Sequence, residues 1–316
     1  VPSLNGAGIR HEAGRLTVRD CLFDDNEMGI LSANRPELEL FVENSEFSHG
    51  VLVTPRISHL LYAGRIGRLE VRGSYFHHSV VGHLLKSRAR FNLVAYNRLT
   101  DETGGRASYE LEFPEGGVAV VLGNLIEQSA TTENPRMIAY GAEGFTHPDN
   151  SLILASNTLV DELPAGGEFL HVWSADKVKI RAVNNLLVRA CVGPNCAAEA
   201  PWPGLRAGAD GMAAEEIFAP ERGNLMIDSL AKAVGLAAAD FRIQPGASWS
   251  KLATVEPGDA FGISLVPAGE YVHRASWRQV APRSRPAVPG AFLSVVEAGR
   301  DAGQIIPAQG NTPAAH

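Results

Sequence analysis

Residues 82–89, Gly-His-Leu-Leu-Lys-Ser-Arg-Ala, bring His83, Lys86 and Arg88 together in a stretch that otherwise reads as an apolar strand. An imidazole can move a proton near neutral pH. A guanidinium grips a carboxylate bidentately, and an ammonium neutralises it as a point charge. Whether these groups form a reaction site or a solvated ladder of charge depends on what the fold sets beside them.

A repeat supplies those neighbours. The segments VRDCLF, VENSEF, VRGSYF, VAYNRL, VLGNLI, LASNTL and AVNNLL carry apolar anchors at Phe23, Phe47, Phe76, Leu99, Ile126, Leu159 and Leu187. Two residues before each anchor stand Cys21, Ser45, Ser74, Asn97, Asn124, Asn157 and Asn185. Five before stand Val18, Val42, Val71, Val94, Val121, Leu154 and Ala182, and Asn224 with Met226 marks an eighth copy. Apolar, small polar, apolar at these offsets describes strand, bend, strand. Asn tolerates the left-handed backbone of a sharp bend and can bond the copies above and below it. The anchors recur every 23 to 33 residues without a helical period, which defines a solenoid of stacked parallel strands. Propeller blades repeat at about 40 residues or more, and a sandwich would not align one turn residue seven times.

The strand after each anchor aligns SHLLYAG (58–64), GHLLKSR (82–88), SYELEFP (108–114), RMIAYGA (136–142) and EFLHVWS (168–174). Alternation sends Leu61, Leu85, Leu111 and Ala139 inward. It sends Tyr62, Lys86, Glu112 and Tyr140 outward, with Leu60, Leu84, Glu110, Ile138 and Arg88 on the same outer side. His59, His83 and Tyr109 stack at the strand's start. A plain Lys–Glu ladder on such a face is worth only ~0.2–1 kcal/mol. The mixture of Tyr, His, Lys, Arg and Glu on neighbouring coils favours a functional face. Arg88 beside Lys86 lowers the lysine's pKa and Glu112 raises it, and the pattern leaves that balance open.

The Asn column and its rungs resemble the right-handed parallel β-helix of the pectate-lyase-like superfamily, over residues 7–190 and less clearly to 245. The segment ADFRIQPGAS (239–248) is similar to the closing strand of bacterial members. Lys86-Ser87, followed by the rung with Asn97 and Leu99, is similar to the Lys-Ser stretch of the β-helix alginate and chondroitin lyases. That resemblance implies β-elimination on an acidic, uronate-containing polysaccharide, with Lys86 as the base. The family's donor arginine has no counterpart here: its place holds Tyr109-Glu110-Leu111-Glu112. Tyr62, Tyr109 or His83 then takes the donor role, and His59, Arg88, Glu110, Glu112 and Tyr140 are expected to bind substrate. The alternatives are a glycoside hydrolase using Glu110 and Glu112, and a non-catalytic glycan-binding protein on which Tyr62, Tyr140 and Trp173 stack sugars.

The expected architecture is all-β: a parallel β-helix domain over 1–249, with a tail over 250–316 that wraps and caps it. A chain of 316 residues with 45% hydrophobic and 20% charged content builds a substantial core. A net charge of −7 argues against a nucleic-acid partner, and no apolar run approaches the ~20 residues of a membrane span. Cys191 and Cys196 either close a short disulfide loop or stay reduced. No metal ligand set stands out; calcium is left open, with the carboxylates of Asp24-Asp25-Asn26-Glu27 as the place for it. The chain opens at Val1 almost directly in a rung, so further coils or a cap are expected upstream. A secreted or periplasmic monomer is the expected setting.

Overall fold

The computed structural model describes residues 6–50, 57–189, 214–227, 234–235, 240–243, 254–281, 283–286 and 288–293. Cys191 and Cys196 lie outside the described residues, as does the tail beyond 293. Of 239–248, only the strand Asp240–Ile243 is described, and it pairs antiparallel with Val234–Gly235 rather than adding a coil.

The fold is a right-handed parallel β-helix of three sheets. The first has seven strands, from Ile9–His11 to Glu168–Val172, with His83–Ser87 in the middle. The second has seven, from Arg15–Arg19 to Lys179–Val183. The third has eight, from Leu22–Asp24 to Leu225–Ile227. Each coil gives one strand to each sheet in turn, and the sequence columns become physical columns. Phe23, Phe47, Phe76, Leu99, Ile126, Leu159, Leu187 and Met226 are in parallel register. The rings of Phe23, Phe47 and Phe76 stack with centroids 4.7 and 4.6 Å apart, matching the strand spacing, so each coil's ring sits on the last. Each such pair contributes about 0.5–1.5 kcal/mol beyond its buried area.

The bend is made differently from the expectation. The left-handed residue is the one before the Asn column: Asp20, Asn44, Gly73, Tyr96, Gly123, Ser156, Asn184 and Gly223 all have positive φ. The Asn column serves hydrogen bonding instead. Asn124 Oδ1 accepts the backbone N–H of Asn97 at 2.9 Å and its Nδ2–H at 3.0 Å, while Asn124 Nδ2 donates to Val94 O and to Asn157 Oδ1. The pattern continues through Asn157 and Asn185 to Asn224. Backbone donors that a corner strips from the sheets are satisfied one coil at a time.

The tail covers two of the three outer faces. Val255, Ala260, Ile263, Leu265 and Trp277 pack on the outer residues of the second sheet, with Trp277 stacked on Tyr96 at 5.4 Å. Val288, Ala291 and Phe292 cover Leu125, Val160, Leu186 and Val188 of the third. Among the described residues the tail makes no hydrogen bond to the first sheet. The outer wall that carries Lys86 is met instead by a loop of the helix itself, through Glu143 and His147.

Candidate functional site

The register of the first sheet places Lys86 between Tyr62 and Glu112, and His83 beside Tyr109. Glu112 is the centre of the cluster: His83 Nδ1 and Lys86 Nζ each stand 2.8 Å from its Oε2. His83 receives a second contact from the coil before, where His59 Nδ1 accepts the His83 backbone N–H at 3.1 Å. Tyr109 lies edge-on to the His83 ring at 4.8 Å. Arg88 lies over the Tyr62 ring at 5.1 Å.

A loop completes the network. After the strand Arg136–Tyr140 the chain turns through Gly141 and Gly144, both at positive φ, and the Glu143 N–H donates to Pro114 O at 2.7 Å. Glu143 then reaches Lys86 Nζ at 3.1 Å and Arg88 Nε and Nη2 at 2.8 and 2.6 Å. Arg88 also meets Glu115 at 3.2 Å, and Arg65 grips Glu115 at 2.7 and 2.5 Å. Glu115, in a segment that reads as a turn, and Arg65 both belong to the cluster without any strand periodicity to announce them. His147 Nε2 at 3.1 Å from Arg88 O and the Thr146 hydroxyl on Glu115 pin the loop to the wall.

These contacts fix the protonation pattern. Burial pushes the His83 pKa below its ordinary value, and the nearby Glu112 does not fully offset it, so the ring is neutral at neutral pH. With the proton on Nδ1 facing Glu112, Nε2 is left as an acceptor, and it has no partner among the described residues. Burial also works against the charge on Lys86, but Glu112 and Glu143 outweigh it and raise its pKa, so Lys86 is an ammonium. Glu112 and Glu143 are disfavoured by burial, yet held below the usual carboxylate range, Glu112 by His83 and Lys86 and Glu143 by Arg88 and Lys86. Burial, with the neighbouring His83 ring and the positive charges of Lys86 and Arg88, drives the His59 pKa well below its ordinary value.

Three expectations are corrected. Tyr140 is not on the wall: Ala139 pairs with Glu112 and Tyr140 with Phe113, one residue out of the expected phase. That slip turns Tyr140 into the core, fully buried, with its hydroxyl donating to Gly117 O. His171 takes the outer column instead, paired with Ala139. Glu110 is not on the wall either. It sits at the corner between the third and first sheets, where Thr132 and the Glu133 N–H bond Ala107 O and close the loops over the strand's start. Both Glu110 oxygens are buried without a partner among the described residues, and burial with the charge of Asp101 pushes its pKa well up. The same corner buries Leu60 and Leu84 in one cluster with Leu61 and Leu85. A hydrolytic pair of Glu110 and Glu112 is thereby removed.

Among the described residues no group of three or more His, Cys, Asp or Glu side chains is arranged to hold a metal ion. Asp24 instead accepts from Ser48 and pairs with His49 at 2.8 Å. No described helix is long and apolar enough to cross a membrane. A cleft of about 340 Å³ between Val266, Glu270, Arg278 and Leu293 shares no residue with the His83–Lys86 network. Comparison with protein-family models, with curated proteins and with solved structures finds no match to this chain.

Proposed function

We propose that this protein is a polysaccharide lyase, secreted or periplasmic, that cleaves an acidic glycan by β-elimination at the outer wall of the first sheet. The observation that carries the reading is geometric: His83 Nδ1 stands 2.8 Å from Glu112, on the strand that also carries the cation Lys86 and runs directly into the cation Arg88, and burial holds the His83 pKa below its ordinary value. A uronate carboxylate docks on Lys86 and Arg88, which neutralise it and acidify the neighbouring C–H. His83 Nε2 takes that proton. The electron pair forms the new C=C bond as the C4–O bond breaks, and the leaving oxygen takes a proton from Tyr109 or Tyr62. The raised pKa of Lys86 makes it the anion-binding partner, with His83 as the base.

A hydrolase reading rests on Glu112 and Glu143. Both approach one Lys86 Nζ, at 2.8 and 3.1 Å, and so form a pair of neighbouring carboxyls of the kind that retaining glycosidases use. It ranks second because both carboxyls are held below the usual range, leaving no protonated acid.

The test is a screen of alginate, pectate, chondroitin and hyaluronan by ultraviolet absorbance of the unsaturated uronate, with His83→Gln alongside. The expected result is absorbance with one polymer, reduced about 10²–10⁴-fold in the variant. New reducing ends without absorbance would move the case to hydrolysis. Saturable binding without turnover would leave a glycan-binding protein.

A further inference from the structure

Three cations of the wall, Lys86, Arg88 and Arg65, face three carboxylates, Glu112, Glu115 and Glu143. The three carboxylates are not equivalent. Glu112 and Glu115 are sealed, with side chains 3% and 1% exposed, whereas Glu143 is 39% exposed and enters from the loop side. Lys86 and Arg88 lie beneath it, at 10% and 16%. Lys86 keeps Glu112 and Arg88 keeps Glu115 without it. Take Glu143 away and three cations face two carboxylates, a cradle short of one negative charge. Glu143 fills that cradle with one oxygen shared between Lys86 and Arg88 and the other on Arg88.

We propose that Glu143 is an internal stand-in for the carboxylate of a sugar acid, and that the Lys86–Arg88 cradle is a monocarboxylate-binding site which a uronate enters by displacing it. Only the side chain has to swing, because the loop backbone is held by Pro114, Glu115 and Arg88. The inference rests on the proposed uronate chemistry of the wall, and deepens it. An internal occupant lowers the apparent affinity for a ligand by the fraction of time the cradle is free. It also stops the buried cations from holding adventitious anions when no glycan is present. Neutral sugars have nothing to offer the cradle in exchange for Glu143, so they are refused.

The experiment is calorimetric titration of the intact protein with sodium glucuronate and with its neutral methyl ester. Wild type, Glu143→Gln and Lys86→Met/Glu143→Gln are compared, with Glu143→Ala as a second variant should the glutamine fail to fold. Glu143→Gln is expected to bind glucuronate about tenfold tighter than wild type or better, to ignore the ester, and to lose the gain when Lys86 is also replaced. Glucuronate binding that is unchanged or weaker in both Glu143 variants would overturn the inference, as would equal binding of the ester. This readout needs no turnover. A wild type that eliminates uronate polymers while the Glu143 variants bind glucuronate no better would sink the stand-in and leave the lyase. Tight glucuronate binding by Glu143→Gln with no elimination on any polymer would do the reverse.

Discussion

Replacing Lys86 by Met tests whether the network is as tightly coupled as its geometry implies. Lys86 and Glu112 are nearly sealed, at 10% and 3% side-chain exposure. Removing one partner of such a pair strands the other's charge and costs about 3–5 kcal/mol. Glu143 keeps Arg88, and Glu112 keeps His83 at 2.8 Å, so the low end applies: about 3 kcal/mol at pH 8. For a chain of 316 residues that is a fall of roughly 4–5 °C in the melting temperature. Adding Glu112→Gln removes the stranded charge, so the double variant should lose about 2 kcal/mol less than the sum of the singles. The pH dependence has a definite sign. Lys86 helps to hold the His83 pKa down. Without it the folded-state value moves back toward that of the unfolded chain, so protonating His83 costs the variant less than it costs wild type. The deficit of Lys86→Met relative to wild type is therefore smaller at pH 5.5 than at pH 8. Thermal unfolding of the four proteins at both pH values is the assay. Additive singles, or a deficit that grows on acidification, would refute the coupling.

Two further outcomes follow from groups away from the wall. Asp101, raised by burial to about 7, and Glu110 and Glu127, raised well above the usual range, have folded pKa values above their unfolded ones. Their protonated forms are favoured by folding, so stability falls as pH rises from the unfolded carboxylate range through about 7. Wild type should melt higher at pH 5.5 than at pH 8, and Glu110→Gln should flatten that slope by stabilising the pH 8 state; a slope unchanged in the variant would contradict it. Tyr140→Phe removes a buried hydroxyl whose acceptor, Gly117 O, keeps the Ser151 N–H. It should cost about 1 kcal/mol in denaturant unfolding and leave turnover untouched.

The solenoid was legible because its columns are set by a physical repeat: each anchor must sit on the previous one, and each Asn must reach the next coil. The wall was legible where polar and apolar residues alternate, as at Tyr62, Lys86 and Glu112. At Met137-Ile138-Ala139-Tyr140 every residue is apolar, so the pattern has no phase, and a slip of one moved Tyr140 from core to surface in the reading. Glu110 failed for a different reason. Alternation assigns faces but says nothing of loops that close over them. Glu143 lies in a loop without pattern, and Glu115 and Arg65 likewise follow strands rather than alternate within them. Side chains that reach a site from loops obey no period.

The Asn column has a consequence for how such a protein can change. Each coil satisfies its backbone donors through its immediate neighbours, so the lattice is indifferent to how many coils precede or follow. A duplication or deletion of one whole coil restores every bond at the junction, whereas a change of a few residues within a strand breaks them. The corners carry the opposite rule: spacing already varies there by up to ten residues between coils. Growth by whole coils would lengthen the wall in steps of about 4.8 Å, while the loops at its rim are free to diversify, so the length of the wall and the chemistry of its edge can be altered independently.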